Sequence, residues 1–234
     1  MEQNVIDFKY YPLEKAFEAQ GVAVVIDVLR AFTTAAFAFY AGAKLIYPVA
    51  GVEEAIQFKN KLPGSLIMGE DNGSKPEGFD FGNSPAEFSE VDLSNKMLIQ
   101  RTSAGTQGIV RVVNADLILA ASFVVAKATA DHIQMLRPPL VSFIITGESQ
   151  GRDGDEDQAC AEYIEALVKN SQPDPLAYIE RVRCSDVGRI FLEGRNTNFQ
   201  RQDLLMSIQV DLFPYLLKIS RENNRLVMVR CISG

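Results

Sequence analysis

The chain holds one histidine, His132, and three cysteines, Cys160, Cys184 and Cys231, in 234 residues. His132 sits among Ala, Thr, Asp and Ile in a helix-like window, which argues against catalysis by a histidine base or a phosphohistidine. Three scattered cysteines supply neither a disulfide framework nor a closed zinc site and read as reduced core thiols. Any metal must then be held by oxygens. Positive charge is also scarce: 23 Lys+Arg stand against 30 Asp+Glu, a net charge of -7. That balance disfavours general affinity for nucleic acid or anionic lipid, so an anionic ligand must be drawn in by local positive charge. Long apolar runs are missing too, the most apolar window, 31–43, being about a dozen uncharged residues where roughly 20 are needed to span a bilayer. The opening MEQNVIDFKYY carries acids where a secretory signal would be basic. A cytoplasmic protein with no membrane or nucleic-acid partner is expected.

Hydrophobic residues make up 47% of the chain, and a chain this long buries roughly 70% of its unfolded surface in one core. One globular domain spanning 1–234 is expected. Strand-like runs at 22–28, 44–47, 65–68, 96–100, 116–120 and 140–145 alternate with helix-like segments, the pattern of an α/β layered fold with a largely parallel sheet. Phe32, Ala36, Phe39, Tyr40 and Ala43 keep helical spacing, as do Cys160, Tyr163, Ile164, Leu167 and Val168 in a helix expected over 156–170. Ser84-Pro85-Ala86-Glu87 has the form of a capping box with proline at the first helical position. After Pro173 the regularity fades, until YLLKISRENNRLVMVRCI predicts a hairpin turning at 222–224. Its apolar residues leave two uses open: covering the core, or pairing with a second copy as a homodimer.

Ligands of open α/β sheets gather at the carboxyl ends of strands. The first predicted strand runs into Asp27-Val-Leu-Arg30-Ala-Phe-Thr33-Thr34; the third into GEDNGSKPEGFDFGNSP, with Glu70, Asp71, Asp80, Asn83 and Ser84; the fourth into Arg101-Thr102-Ser103-Ala104-Gly105-Thr106. The strand ending at Ile145 leads into TGESQGRDGDEDQA, with Glu148, Arg152, Asp153, Asp155, Glu156 and Asp157. Singly, each has a bland reading: Asp27 as a helix cap, Arg30 as its ion-pair partner, Ser84 as part of the capping box, and the DGDED run as a solvated loop suited to a helix N-terminus. Together they suggest phosphoryl transfer, in which cations and backbone N–H groups neutralise the phosphate and a base or metal positions water. Arg30 and Arg101 would grip phosphate as a fork, and the segment from Ser103 to Thr106 would offer an N–H nest. Asp27, Glu70 and the acidic loop would hold a hard divalent cation, Mg2+ fitting an oxygen-only set.

Several other motifs fail on spacing. Asp153, Asp155 and Asp157 begin like an EF-hand loop, but Gln158 and Ile164 stand where glycine and the bidentate glutamate belong. Cys184-Ser-Asp-Val-Gly-Arg189 has four intervening residues where cysteine phosphatases use five. No Walker-type GxxxxGK[ST] or strand-following GxGxxG is present. A haloacid-dehalogenase phosphatase would need an aspartate where Leu29 stands.

VVIDVLRAFTT, GEDNGSKPEGFDFGNSPAEF, RTSAGTQG and DEDQACAEYI, in that order and spacing, resemble the 2-phosphosulfolactate phosphatase (ComB-type) family across residues 22–170. The resemblance implies a three-layer α/β/α fold and Mg2+-dependent hydrolysis of 2-phospho-3-sulfolactate to 3-sulfolactate and phosphate, on the route to coenzyme M. It implies acidic and phosphate-gripping roles for Asp27, Arg30, Glu70, Asn83, Thr102, Gly105, Thr106, Glu156 and Asp157. The expected site is therefore Asp27 and Arg30 for catalysis; Arg30, Thr33, Asn83, Ser84, Arg101, Thr102, Ser103, Gly105 and Thr106 for substrate; and Asp27, Glu70, Glu156 and Asp157 for metal. Ala104 and Val125 stand where the family commonly has asparagine, which places the substrate in question before the phosphatase class. A non-catalytic binder of an anionic metabolite, or a metal-dependent hydrolase or lyase of an unphosphorylated acid, are the alternatives.

Overall fold

Val22–Ile26 is a run of five apolar residues with every side chain buried, the composition of a strand covered on both faces. It is β2 of a nine-stranded sheet in a computed structural model that describes residues 5–149, 151–194 and 196–232. The elements run β1 (Asp7–Pro12), β2, α1 (Ala31–Tyr40), β3 (Leu45–Pro48), α2 (Val52–Lys61), β4 (Leu66–Gly69), β5 (Met97–Arg101), α3 (Gly105–Arg111) and β6 (Leu117–Ala121). They continue with α4 (Ala126–Leu136), β7 (Leu140–Ile145), α5 (Asp155–Val168), α6 (Pro175–Cys184), α7 (Asp186–Glu193), α8 (Arg201–Ser207), β8 (Tyr215–Glu222) and β9 (Arg225–Ile232). The six expected strands are present within one or two residues of their predicted limits. β1 was not foreseen: DFKYYP is half-exposed, ends in proline and pairs on one side only, parallel to β7, so it lacks the apolar run of a central strand.

The strand order is β1-β7-β2-β6-β8-β9-β3-β5-β4. Two parallel blocks, β1-β7-β2-β6 and β3-β5-β4, are joined by the antiparallel hairpin β8–β9. Both outer edges of the hairpin are occupied, by β6 and β3, so it is an interior part of the sheet and has no edge left for a second copy. Its turn lies where expected, with Asn223 and Asn224 both at positive φ (49° and 63°), the left-handed pair of a two-residue hairpin that asparagine tolerates.

Three successive antiparallel pairings reverse the sense of the β3 block relative to the β2 block. In a flat sheet the carboxyl ends of β2 and β5 would therefore lie on opposite edges. Neighbouring strands twist by about 20–25°, so five steps accumulate more than a right angle, and the curled sheet folds the two blocks together. Gly108 of α3 packs so closely on β2 that a Cβ there would stand 2.6 Å from Val25 Cγ1. Gln100, in β5, donates its Nε2–H to the Ala31 carbonyl at 2.9 Å. The carboxyl ends meet through curling, not through one continuous parallel sheet. One large core cluster fills the interior, and a smaller one around Ala55, Phe58, Ile67 and Ile99 lies under α2.

Candidate active site

β2 ends at Ile26 and α1 starts at Ala31, so Asp27 to Arg30 form the turn that the sequence predicts. Asp27 is buried, and its Oδ1 accepts from the Ala31 amide at 2.8 Å. The N-cap position itself is Arg30, but it is Asp27 that satisfies the first amide of α1. Its other oxygen faces the β5–α3 loop, where a Cβ on Gly105 would fall 2.7 Å from Oδ2 and 2.6 Å from Ala31 Cβ. Only glycine permits that approach. Thr33 Oγ1 donates to the Val28 carbonyl and so shapes the turn.

Asp157, in the first turn of α5, links this turn to the one after β7. Its Oδ1 accepts from the Val28 amide at 2.8 Å, and its Oδ2 from the Gly147 amide at 2.8 Å and Thr146 Oγ1 at 3.2 Å. Both oxygens are thus occupied by the protein. Glu156 beside it is equally buried, but its Oε2 has no partner.

Glu70 ties the third and fourth predicted segments together. Its Oε1 accepts from the Ser103 amide at 2.5 Å, and its Oε2 from the Gly73 amide at 2.6 Å and Ser103 Oγ at 3.1 Å. A carboxylate thus occupies the Ser103 N–H that the sequence reserved for phosphate. Thr102 and Thr106 bond each other reciprocally, each hydroxyl accepting the other's amide at 2.9–3.0 Å. Arg101 Nη1 donates to the Glu70 carbonyl and to Asp71 Oδ1, and its Nε to the Ala50 carbonyl.

Arg30 turns toward the C-terminal region. Its Nη1 donates to Asp203 Oδ2 at 2.6 Å, and its guanidinium lies 5.1 Å and 5.4 Å from the ring centroids of Phe191 and Phe199. Ser84 Oγ donates to Asp203 Oδ1 at 2.5 Å. The expected capping box is therefore not formed: Ser84 makes no side-chain cap, Pro85–Phe88 is one 3-10 turn, and Glu87 accepts the Gly82 amide instead. The Ser84 hydroxyl is oriented instead by Asp203, whose carboxylate is held in place by Arg30. Asp203 is wholly buried and was missed. It stands in the first turn of a seven-residue helix, where an acid reads as an ordinary dipole partner.

The carboxylates perturb one another. Burial, then Glu70, raise Asp27 from 3.8 to about 6, opposed by the Ala31 amide and Arg152. Burial and Asp27 raise Glu156 from 4.5 to about 7. Asp157 is pushed well up by burial and by both neighbours. Arg152, exposed in the loop before α5, is the cation that relieves this pair. Among the described residues, buried side-chain atoms without a partner are found on Thr34, Asn83, Gln100, Ser122, Glu156 and Ser207. Buried polar groups are normally satisfied, so those of Asn83 and Glu156, which lie in two of the predicted site segments, are open to a polar ligand. Among the described residues no three His, Cys, Asp or Glu side chains gather as a metal cage. Of the four expected metal ligands, Glu70 and Asp157 have both oxygens on backbone amides, Asp27 has Oδ1 on the Ala31 amide and Oδ2 against Gly105, and Glu156 keeps Oε2 unpartnered.

Residues 9–210 match the 2-phosphosulpholactate phosphatase family. The chain belongs to the 2-phosphosulfolactate phosphatase family. A relative from Bacillus subtilis named probable 2-phosphosulfolactate phosphatase is 31% identical, over 90% of this chain and 92% of its own length. Proteins of the same name from Carboxydothermus hydrogenoformans and Thermoplasma acidophilum are 38% and 30% identical, over 82% and 81% of this chain and 76% and 82% of their own lengths. Membership in this phosphatase family makes the chain a phosphoric monoester hydrolase. The two positions at which the resemblance implies a departure from the family differ in place. Val125 is fully buried and packs in the main core, whereas Ala104 sits half-buried in the loop beside Gly105.

Proposed function

We propose that the chain hydrolyses the phosphate monoester of a small anionic 2-hydroxy acid in a Mg2+-dependent reaction, (2R)-O-phospho-3-sulfolactate to 3-sulfolactate and phosphate being the first choice. The observation that carries this is the pairing of buried Asp27 with Glu156, with Arg30 and Arg101 set in adjoining segments, in a chain of that family. Water attacks phosphorus, the bond to the substrate's hydroxyl oxygen breaks, and that oxygen takes up a proton. Asp27, whose Oδ2 faces the β5–α3 loop, is suited to orient the water and accept its proton. Arg30 spends only Nη1 on Asp203, and Arg101 uses Nη1 and Nε, so each keeps N–H groups for phosphate oxygens. Asn83, buried with its Oδ1 unpartnered, would turn its amide Nδ2–H toward the substrate's anionic oxygens.

The donor set fits a hard divalent cation. Asp27 and Glu156 would hold it, with Glu70 and Asp157 behind them, and their mutual repulsion is the disfavoured charge that a cation relieves. When bound, it supplies Lewis-acid neutralisation of the phosphoryl oxygens. Substrate entry requires the cover over Arg30 to lift. Phe199 packs on Gly73, and Asn198 Nδ2 donates to Ser74 Oγ at 3.1 Å, so residues 196–200 strap the 70–74 loop.

The test is phosphate release from a panel of 2-phospho acids, with Mg2+ or with chelator, for wild type and Asp27→Asn. Chelation should abolish release and the substitution should lower it by about 10²-fold or more. Release that survives both would overturn the mechanism.

A further inference from the structure

A cavity of about 300 Å3 opens between α2, the end of β3 and the tip of the β8–β9 hairpin. β3 and β9 share a single pairing, Ile46 with Met228, and two residues on Pro48 has no N–H with which to continue the ladder. Pro48, Val49 and Ala50, which follow that pairing, line the cavity together with Asn224, Arg225 and Leu226 of the hairpin. Its wall carries Lys61, Arg221 and Arg225, three cations in a chain of net charge -7. Arg225 lies over the Phe58 ring, its Cζ 4.0 Å from the centroid. Among the described residues none of the three is in an ion pair. The acid lining the same cavity, Glu54, is committed to the Ala50 and Gly51 amides.

We propose that this cavity is a second anion site, which takes a small metabolite bearing a phosphate or sulfonate group. Three converging cations, one fixed by an aromatic face, match an oxyanion with several acceptors. The volume lies at the low end of ligand pockets, which confines the ligand to a few carbon atoms. The cavity is separate from the catalytic carboxylates but adjoins their support. Ala50 lines it, and the Ala50 carbonyl accepts from Gln107 Nε2 at 2.9 Å and from Arg101 Nε at 3.4 Å. A ligand seated there therefore presses on the peptide that steadies Arg101.

Amide NMR spectra of the full chain, titrated in chelator with sodium phosphate, sodium methanesulfonate or sodium chloride at equal ionic strength, test this. Phosphate should shift the Val49, Ala50 and Leu226 amides saturably, and in Lys61→Ala/Arg221→Ala, whose own spectrum reports whether it is folded, the apparent affinity should fall about tenfold or more. Equal shifts with methanesulfonate would assign the site to oxyanions in general, and shifts with phosphate alone to dianions; both support it. No shifts, the same shifts with chloride, or undiminished affinity in a folded double variant would overturn it.

Discussion

Replacing Asp203 by asparagine keeps the shape of the side chain and removes its charge. Arg30, 5% exposed and fixed between two phenylalanines, would then hold an uncompensated buried cation, and Ser84 would lose a charged acceptor. Breaking a buried ion pair on one side costs about 3–5 kcal/mol, a large share of the roughly 5–15 kcal/mol that stabilises a domain. At about 2–4 °C per kcal/mol for a chain of this size, the melting temperature should fall by roughly 6–20 °C. Arg30→Met/Asp203→Leu, which removes both charges and fills the volume, should recover most of that loss. The two variants also separate stability from chemistry, because Asp203→Asn keeps the guanidinium while the double variant loses it. Thermal melts followed by circular dichroism measure the first effect and phosphate release the second. A melting temperature for Asp203→Asn within 2 °C of wild type would refute the reasoning, since it would mean that Arg30 finds its counter-charge elsewhere.

Two further outcomes follow from the same geometry. Gly105→Ala places a methyl group 2.7 Å from Asp27 Oδ2, so it should cost about 10²-fold in activity through misplacement of the carboxylate, and activity within twofold of wild type would contradict the close approach. Asp27 and Glu156 titrate near 6 and 7 when folded, against 3.8 and 4.5, so the folded protein binds protons that the unfolded chain has released between about pH 4 and 7. Stability of the metal-free protein should therefore fall as pH rises through that window, each group costing about 3 kcal/mol above it; Glu70, Asp153 and Asp157 add to the repulsion and Arg152 opposes it. Melts in chelator check the sign: a protein as stable at pH 8 as at pH 5 would refute it, and Glu156→Gln should flatten the profile.

The local periods of the chain were enough to place β2 to β7 and the turn at Asn223 and Asn224, because each of those is set by residues adjacent in sequence. The partners of the hairpin were not legible. Tyr215–Glu222 and Arg225–Ile232 have the composition of any amphipathic strand pair, and nothing in them encodes that β6 and β3 will take their outer edges. That omission mattered for the site. A single parallel sheet would have brought the four loops together by direction alone, whereas here the hairpin reverses one block and the curl of the sheet brings it back. The right residues converge for a reason that the strand pattern did not contain. The same distinction separates the polar residues. Asp27, Glu70, Glu156 and Asp157 could be found from their position after strands, but their division into facing and supporting groups depends on which amides reach them. Val28, Gly147, Gly73 and Ser103 supply those amides from across the fold. Asp203 is the limiting case: its role comes entirely from Arg30, 173 positions earlier, and from Ser84, 119 positions earlier. A carboxylate so distant in sequence from both partners carries no local signal. Its complete burial beside an arginine and a hydroxyl identifies it only once the chain has folded.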